Sequence, residues 1–563
     1  MELAAALKHL QALDPDRLSE AEVRAALQLA FNVLEGLLAE RHALGEEVEA
    51  LRREIARLSG TPPKPTVRPQ AGGSPSSDHS SEKERSAPKP RCHLPKRPQL
   101  VIDRTEVLDF PPGTLPAGCV SKGYTEVIVQ DLVLRRENIC FRRAKAYDPG
   151  TGKTYLAPLP AGYTGAFGPQ IKALALDLYF EAQVSIPKLH AFFRTAGTVL
   201  AHGTLTGWLT RPLPVFVQEA HEVLEAGLRS SPWQHGDGTP TRVNGQNHTC
   251  FVLCNPLYTA YRTTRQQDRQ GVLDAFRGGA PREYVLNAHT LELLGRFSVA
   301  RWVRERITIL LQATVFSAPT FAHFLDTRLP TLGRDQRKDL EDAAAIAAYW
   351  ASPNWPVIDT LVCDDAGATA ALTPARALCW VHDGRHYQKL HPEFLGHQRA
   401  LRRFRKRYWQ YYHRLRAYQT APDPERVPQL ATAFDTLFAT ETGYGALDAC
   451  IARTRAHKTE LLVVLTHPEV PLHNNPAELG ARQRVRKRDV SFGPRSAAGK
   501  QAWDVFQTLA ATATKLGIRF LDYVRDRLTG AEAVPRLAAV ITTRAQELGL
   551  GASWEAAEPP RTG

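Results

Sequence analysis

The sequence lacks any paired-cysteine signature: its 8 cysteines are scattered from Cys92 to Cys450 and form no C-x-x-C pair. That scatter argues against a zinc ribbon and against the disulfide framework of a small secreted domain. No run of about 18 apolar residues occurs, so no membrane span is expected. The opening residues carry no basic segment followed by an apolar stretch, so a secretory signal is not expected and the cytoplasm is the expected location. Acidic charge is in deficit. The 71 Lys and Arg outnumber 58 Asp and Glu, giving a net charge of +13 and a pI near 9.4. A cationic field of that size attracts polyanions, among which nucleic acid is the commonest.

What is present is the composition of a soluble globular protein, with 43% hydrophobic and 23% charged residues. At 563 residues several structural units are expected. Residues 1–60 read as a helical, coiled-coil unit. Leu37, Leu44, Leu51 and Leu58 recur at heptad spacing, with Leu34, Arg41, Val48 and Ile55 as the companion series. The pattern fits self-association into a homodimer or higher oligomer, or a helix packed on its own chain. Residues 61–98 are rich in Pro, Ser, Lys and Gly and read as a disordered linker. A small β domain is expected over 99–165, with Val127, Val129, Ile139 and Phe141 in strands and a turn at Asp148–Gly152. Residues 166–230 show the outline of a helix-turn-helix DNA reader, broken at Gly197, or of an ordinary helical bundle. From 231 to 530 the pattern becomes α/β with large helical insertions, about 286–355 and 397–464, and 531–563 form a C-terminal helix and tail.

Three acids stand where a carboxylate metal site needs them. Asp237 follows a strand pattern, Asp364 ends the run Val-Ile-Asp-Thr-Leu-Val-Cys-Asp-Asp, and Glu478 lies at a helix start in His-Asn-Asn-Pro-Ala-Glu. Magnesium takes hard oxygen ligands, usually one or two carboxylates plus phosphate oxygens. Gathered carboxylates repel, so a cation is the natural neutraliser. Each acid also has a structural reading. Asp237 suits a turn, Asp364 and Asp365 suit a cap, and Asn475, Pro476 and Glu478 make a capping box with Asn475 as N-cap.

The order Asp-x-Thr, then the block Cys379-Trp380-Val381-His382-Asp383-Gly384-Arg385, then His473-Asn474-Asn475-Pro476-Ala477-Glu478, resembles the insertion-sequence sixty-six family of transposases. The resemblance runs from about 231 to 525. It implies a ribonuclease H-like catalytic core with Asp237, Asp364 and Glu478 as the catalytic, metal-holding acids, and it favours Asp364 over Asp365 as the second. Its cofactor would be Mg2+ or Mn2+, and its partner double-stranded DNA, both element ends and target. The implied reaction is metal-dependent cleavage of the ends followed by strand transfer. A nuclease or resolvase without strand transfer, and a non-catalytic DNA-binding scaffold, are the competing readings.

Cys379 and His382, three residues apart, lack a second pair of zinc ligands and suit a brace for the second aspartate, with Arg385 and Asn475 as further supports. Glu478, Arg482 and Arg486 recur on one helix face, and Lys487 and Arg488 broaden a basic strip suited to the DNA backbone. The cations and aromatics of 402–412 suit either stacking on an unpaired base or core packing.

Overall fold

A computed structural model of the chain describes residues 19–58, 101–111, 114–115, 118–132 and 134–551. The linker expected over 61–98 and the tail beyond 551 lie outside the described residues.

Helix α1 (Glu20–Leu58) carries the heptads. Its first half docks on the rest of the chain: Val33 is buried, Phe31 meets the Phe394 ring at 4.7 Å, and the Glu35 carboxylate accepts from the backbone amides of Glu393 and Phe394. Leu37, Leu44 and Leu51 are exposed. Among the described residues of the expected small β domain, two strands are present. Only a hairpin stands at the expected turn, β1 (Lys145–Asp148) with β2 (Lys153–Leu156), while Val127 and Val129 are exposed and outside any strand. Two strands alone cannot bury an apolar face.

The expected helix-turn-helix region folds as α2 (Pro169–Phe180), α3 (Ile186–Thr195), α4 (His202–Thr210) and α5 (Pro214–Arg229). Gly197, at φ +79, makes the turn between α3 and α4. The main sheet follows. Strands β3 (Trp233–Val243), β4 (Gln246–Cys254) and β5 (Thr259–Thr264) form an antiparallel meander. The β3–β4 turn is Asn244-Gly245, both at positive φ, the two-residue hairpin that matches strand twist. Cys250–Cys254 is apolar without alternation because β4 is buried on both faces.

A long insertion separates the meander from the rest of the sheet. It comprises α6 (Arg269–Phe276), β6 (Glu283–Leu286), α7 (Ala288–Arg296), α8 (Arg301–Ile309), β7 (Gln312–Ser317), α9 (Ala318–Arg328) and α10 (Arg334–Trp350), with β6 and β7 paired as a small second sheet. Strands β8 (Thr360–Cys363) and β9 (Ala375–Leu378) then add in parallel, giving the order β5-β4-β3-β8-β9. A second helical block comprises α11 (Trp380–Gln388), α12 (Leu395–Thr420), α13 (Val427–Phe438), α14 (Gly445–Ala456) and the short α15 (Lys458–Leu461). It closes around Trp380 in an apolar cluster of its own. Phe404, Tyr408, Trp409, Tyr411 and Tyr412 are buried there, so the aromatics of 402–412 are core and not a stacking platform.

The chain ends with α16 (Asn475–Ser491), α17 (Ala497–Lys515), α18 (Phe520–Thr529) and α19 (Leu537–Leu548). The N-terminal helices share this core: Phe180 and Phe216 both stack near Phe506 of α17, and Glu219 of α5 pairs with Arg527 of α18 at 2.7 Å. Residue 230 is therefore no boundary in packing.

Helix α17 also seals the outer edge of β5. Thr512, Thr508 and Asp504, one helical turn apart, accept from the amides of Thr259, Tyr261 and Thr263 at 3.2, 2.9 and 2.9 Å. Asp504 simultaneously pairs with fully buried Arg484 of α16 at 2.7 Å. Removing one partner of a buried pair strands the other charge, at about 3–5 kcal/mol. Asp504→Ala is expected to lower stability by that amount in urea unfolding, and a loss below about 1 kcal/mol would contradict the role assigned to the pair.

Candidate active site

Two parallel strands set the site. The β3–β8 register pairs Trp233 with Thr360, Gln234 with Leu361 and His235 with Val362. Continued two residues, it brings Asp237, midway along β3 where the pairing with β8 stops, opposite Asp364, just past the carboxyl end of β8. Both acids line one small cavity of about 80 Å³, together with Gly238, Phe251 and Leu361. Burial, and then the charge of Asp364, push the Asp237 carboxyl up to about 6. A bond from the Gly238 amide at 2.8 Å opposes the shift.

Asp365 has a different fate. Alternation along the strand turns it away, and it is held by Arg453 at 2.7 Å, Arg376 at 3.3 Å and His457 at 3.3 Å. Of the two adjacent aspartates, only Asp364 faces the Asp237 cavity.

Glu478 comes from α16. That helix lies close against the sheet because position 480 is glycine: a Cβ there would stand 2.7 Å from Val252, and the Gly480 carbonyl accepts from the Tyr261 hydroxyl at 3.0 Å. The expected capping box is absent. Asn474, not Asn475, is the N-cap, with Asn475 and Pro476 in the first turn and no side-chain cap bond. The Glu478 carboxylate is thereby released from capping and pairs with His382 at 3.0 Å and Arg385 at 2.9 Å, one turn apart on α11. Arg482 stands 3.7 Å away. Burial alone would raise Glu478, yet the bond and charge of His382, with Arg385, outweigh it and hold the carboxyl below its usual range. Burial likewise opposes the charged form of His382, but its bonds to Cys379 and Glu478 carry it up to about 10. The pair is ionised at neutral pH. Cys379 and His382 thus brace the third acid, not the second as their position beside β8 and β9 suggested.

Asn474 is a site residue that sequence reasoning passed over. Its amide nitrogen donates to the Gly236 carbonyl at 2.7 Å, and its backbone nitrogen donates to the Cys379 sulfur at 3.2 Å. Its oxygen is left to accept from His235 Nδ1 at 3.0 Å. Burial, reinforced by His473, drives His235 down to about 3, so the ring is neutral with its proton on Nδ1. One side chain therefore ties the start of α16 to the strand carrying Asp237. The block His-Asn-Asn-Pro pointed to this place; the signal was a second Asn beside the assumed cap.

Among the described residues no set of three or more His, Cys, Asp or Glu side chains stands close enough together to hold a metal ion. Asp237 and Asp364 share a cavity, while Glu478 is turned into its ion pairs with α11.

The basic strip divides by helix face. Arg482 and Arg486 are exposed. Arg488 is half-buried and donates to the Pro240 carbonyl. Lys487 does not belong to a DNA-facing strip: it is fully buried, its ammonium 3.0 Å from the Tyr179 ring centre and bonded to the Tyr179 carbonyl. Spacing places Arg484 and Lys487 together on the inward face.

A sheet in which two parallel strands set acids opposite one another, with a third acid held by His and Arg, defines a class of acid-centred α/β proteins. The comparisons narrow the class. Residues 355–502 match the model of the Transposase IS66 family. An uncharacterized protein, y4jO of Sinorhizobium fredii (strain NBRC 101917 / NGR234), is 31% identical over 328 residues, spanning 57% of this chain and 100% of that protein. No solved structure matches. The chain belongs to the Transposase IS66 family. No helix among the described residues is long and apolar enough to cross a membrane.

Burial depresses Lys487 to about 6 from 10.5. Between those values the unfolded chain binds a proton that the folded one does not, so this group makes stability rise with pH from about 6 to about 10 and contributes no slope below 6. Lys487→Met removes the desolvation cost. The variant is expected to be more stable than wild type at pH 7, with the gap narrowing by pH 10 in urea melts. A gap independent of pH would refute the assignment.

Proposed function

We propose that the chain is a DNA transposase in which Asp237, Asp364 and Glu478 serve metal-dependent phosphodiester cleavage and strand transfer. The observation that carries this reading is the meeting of Asp237 and Asp364 where the parallel pairing of β3 with β8 stops, inside a chain of a transposase family. An antiparallel meander continued by two parallel strands supports a ribonuclease H-like core.

The donor set fits a hard divalent cation. Asp237 is raised partly by the charge of Asp364, which is the repulsion that Mg2+ or Mn2+ between them would relieve, and both offer oxygen only. Such an ion, when bound, activates the attacking oxygen and stabilises the leaving one. The protein supplies the rest. Asp237 and Asp364 would hold the ion, and Glu478 would join them on leaving its partners. His382 keeps Glu478 ionised, and Arg385 sets a guanidinium beside the acids, where a phosphate would lie. Arg482 and Arg486, exposed on α16, suit backbone contacts that position DNA without reading it.

The exposed heptad seam of α1 supports pairing with a second copy through a coiled coil. Leu44→Asp with Leu51→Asp is expected to turn an associated protein into a monomer by analytical ultracentrifugation, with the melting temperature of the globular part unchanged; an unaltered mass would remove the coiled coil from the reading. For the chemistry, Asp237→Asn and Glu478→Gln should each lower cleavage of element ends by roughly 10³-fold, several kcal/mol of transition-state stabilisation, while end binding persists. Joining of pre-cleaved ends to a target plasmid should fall in step. Variants that still cut DNA at wild-type rate would disprove the assignment.

A further inference from the structure

A second cationic cavity lies at the other side of the sheet, bounded by α5, β5, the segment after α6 and the start of α17, with a volume of about 880 Å³. Its lining includes Arg262, Arg265, Arg282 and Lys500 against Asp274 and Asp504. The two acids are already committed. Asp274 takes Arg282 through two bonds of 2.7 Å, and Asp504 takes Arg484 at 2.7 Å. Arg265 and Lys500 form no close ion pair among the described residues, and half-buried Arg262 is reached only by the longer-range attraction of Asp504, which is already bound to Arg484. Across the cavity, burial and the charge of Arg262 hold His221 below its usual value.

The cavity has a further anion-attracting element. Ala497 and Ala498, the first residues of α17, line it. Ser496 caps this helix, its hydroxyl accepting from the Gly499 amide at 3.0 Å, so the helix adds only the positive end of its dipole. Three cations converge on one concave surface beside it.

Strand register relates this surface to the acids. Arg262 pairs with Phe251 and Phe251 with Gly238, and both Phe251 and Gly238 line the cavity of Asp237 and Asp364. The row spans two strand spacings, about 10 Å, through buried sheet. Arg262 shares its face with Phe251 and Gly238, whereas Asp237, one residue from Gly238, lies in the neighbouring row with Val252 and Tyr261 and faces the opposite side.

We propose that this cleft is a second phosphate-binding site, in which Arg262, Arg265 and Lys500, beside the start of α17, hold the backbone of bound DNA outside the cavity of the acids. The proposal rests on the transposase reading for its DNA and on the cleft alone for its anion. Its contacts are to phosphate, so it grips any sequence and positions the strand.

Two measurements separate the parts. In the first, tripolyphosphate is expected to raise the melting temperature of the full chain, and Arg265→Gln with Lys500→Gln, together with Arg262→Gln in a second variant, is expected to abolish that protection while the unliganded melting temperature stays within a few degrees. Because Arg265 is exposed and Lys500 half-exposed, the double variant is a folding-safe control for the triple. In the second, the salt dependence of duplex DNA binding should weaken, its logarithmic slope falling by about 2 for the double variant and about 3 for the triple. Unchanged tripolyphosphate protection in both variants would overturn the site. Lost protection with an unchanged salt slope would overturn its assignment to DNA. Wild-type protein that responds to tripolyphosphate but binds no DNA would leave an anion site and defeat the transposase reading itself.

Discussion

Like charges set opposite one another on neighbouring strands repel by on the order of 4 kcal/mol at 4 Å and an effective dielectric near 20, and much of the molecule is arranged around tolerating that repulsion between Asp237 and Asp364. The parallel pairing of β3 with β8 forces the two carboxyls together. Partial burial removes the water that would screen them, and the consequence appears as an Asp237 that gives up its proton only near pH 6. The strands can bear this because they are anchored elsewhere: β4 is buried on both faces, and Asn474 pins β3 to α16 one residue from the acid.

The third acid is handled in the opposite way. Glu478 is neutralised in advance by His382 and Arg385, both of which belong to the helical block centred on Trp380. The sheet acids and the holders of Glu478 thus sit on separate apolar clusters, joined through short backbone bonds such as that from the Cys379 amide, next to Trp380, to the Cys363 carbonyl at 3.0 Å. The arrangement divides the labour between a strained pair and a stored carboxylate.

Much of this was legible in the residues. The apolar runs at 250–254 and 357–363 announced β4 and β8, and Asp364 was correctly placed at a strand end. Strand β9 was not foreseen, because Ala-Arg-Ala-Leu is four residues long with only Ala377 and Leu378 buried. Lys487 misled because a charged residue on a polar helix reads as solvated, and nothing local foretells the rings of Tyr179 and Trp503 that arrive from far along the chain. The cap was misplaced by one residue, since Pro476 is tolerated anywhere in a first helical turn and does not fix which asparagine precedes it. The aromatics of 402–412 could be resolved only by seeing Trp380 among them.

Adjacent aspartates of identical chemistry receive opposite assignments at 364 and 365, and nothing but parity along a strand distinguishes them. A slip of one residue in how β8 meets its neighbours would exchange them, delivering the neutralised acid to the cavity and leaving the other facing Arg376 and Arg453. The guanidiniums of Arg376 and Arg453 therefore act as a reading-frame lock: by seizing one carboxylate from outside the cavity, they dictate which one remains inside.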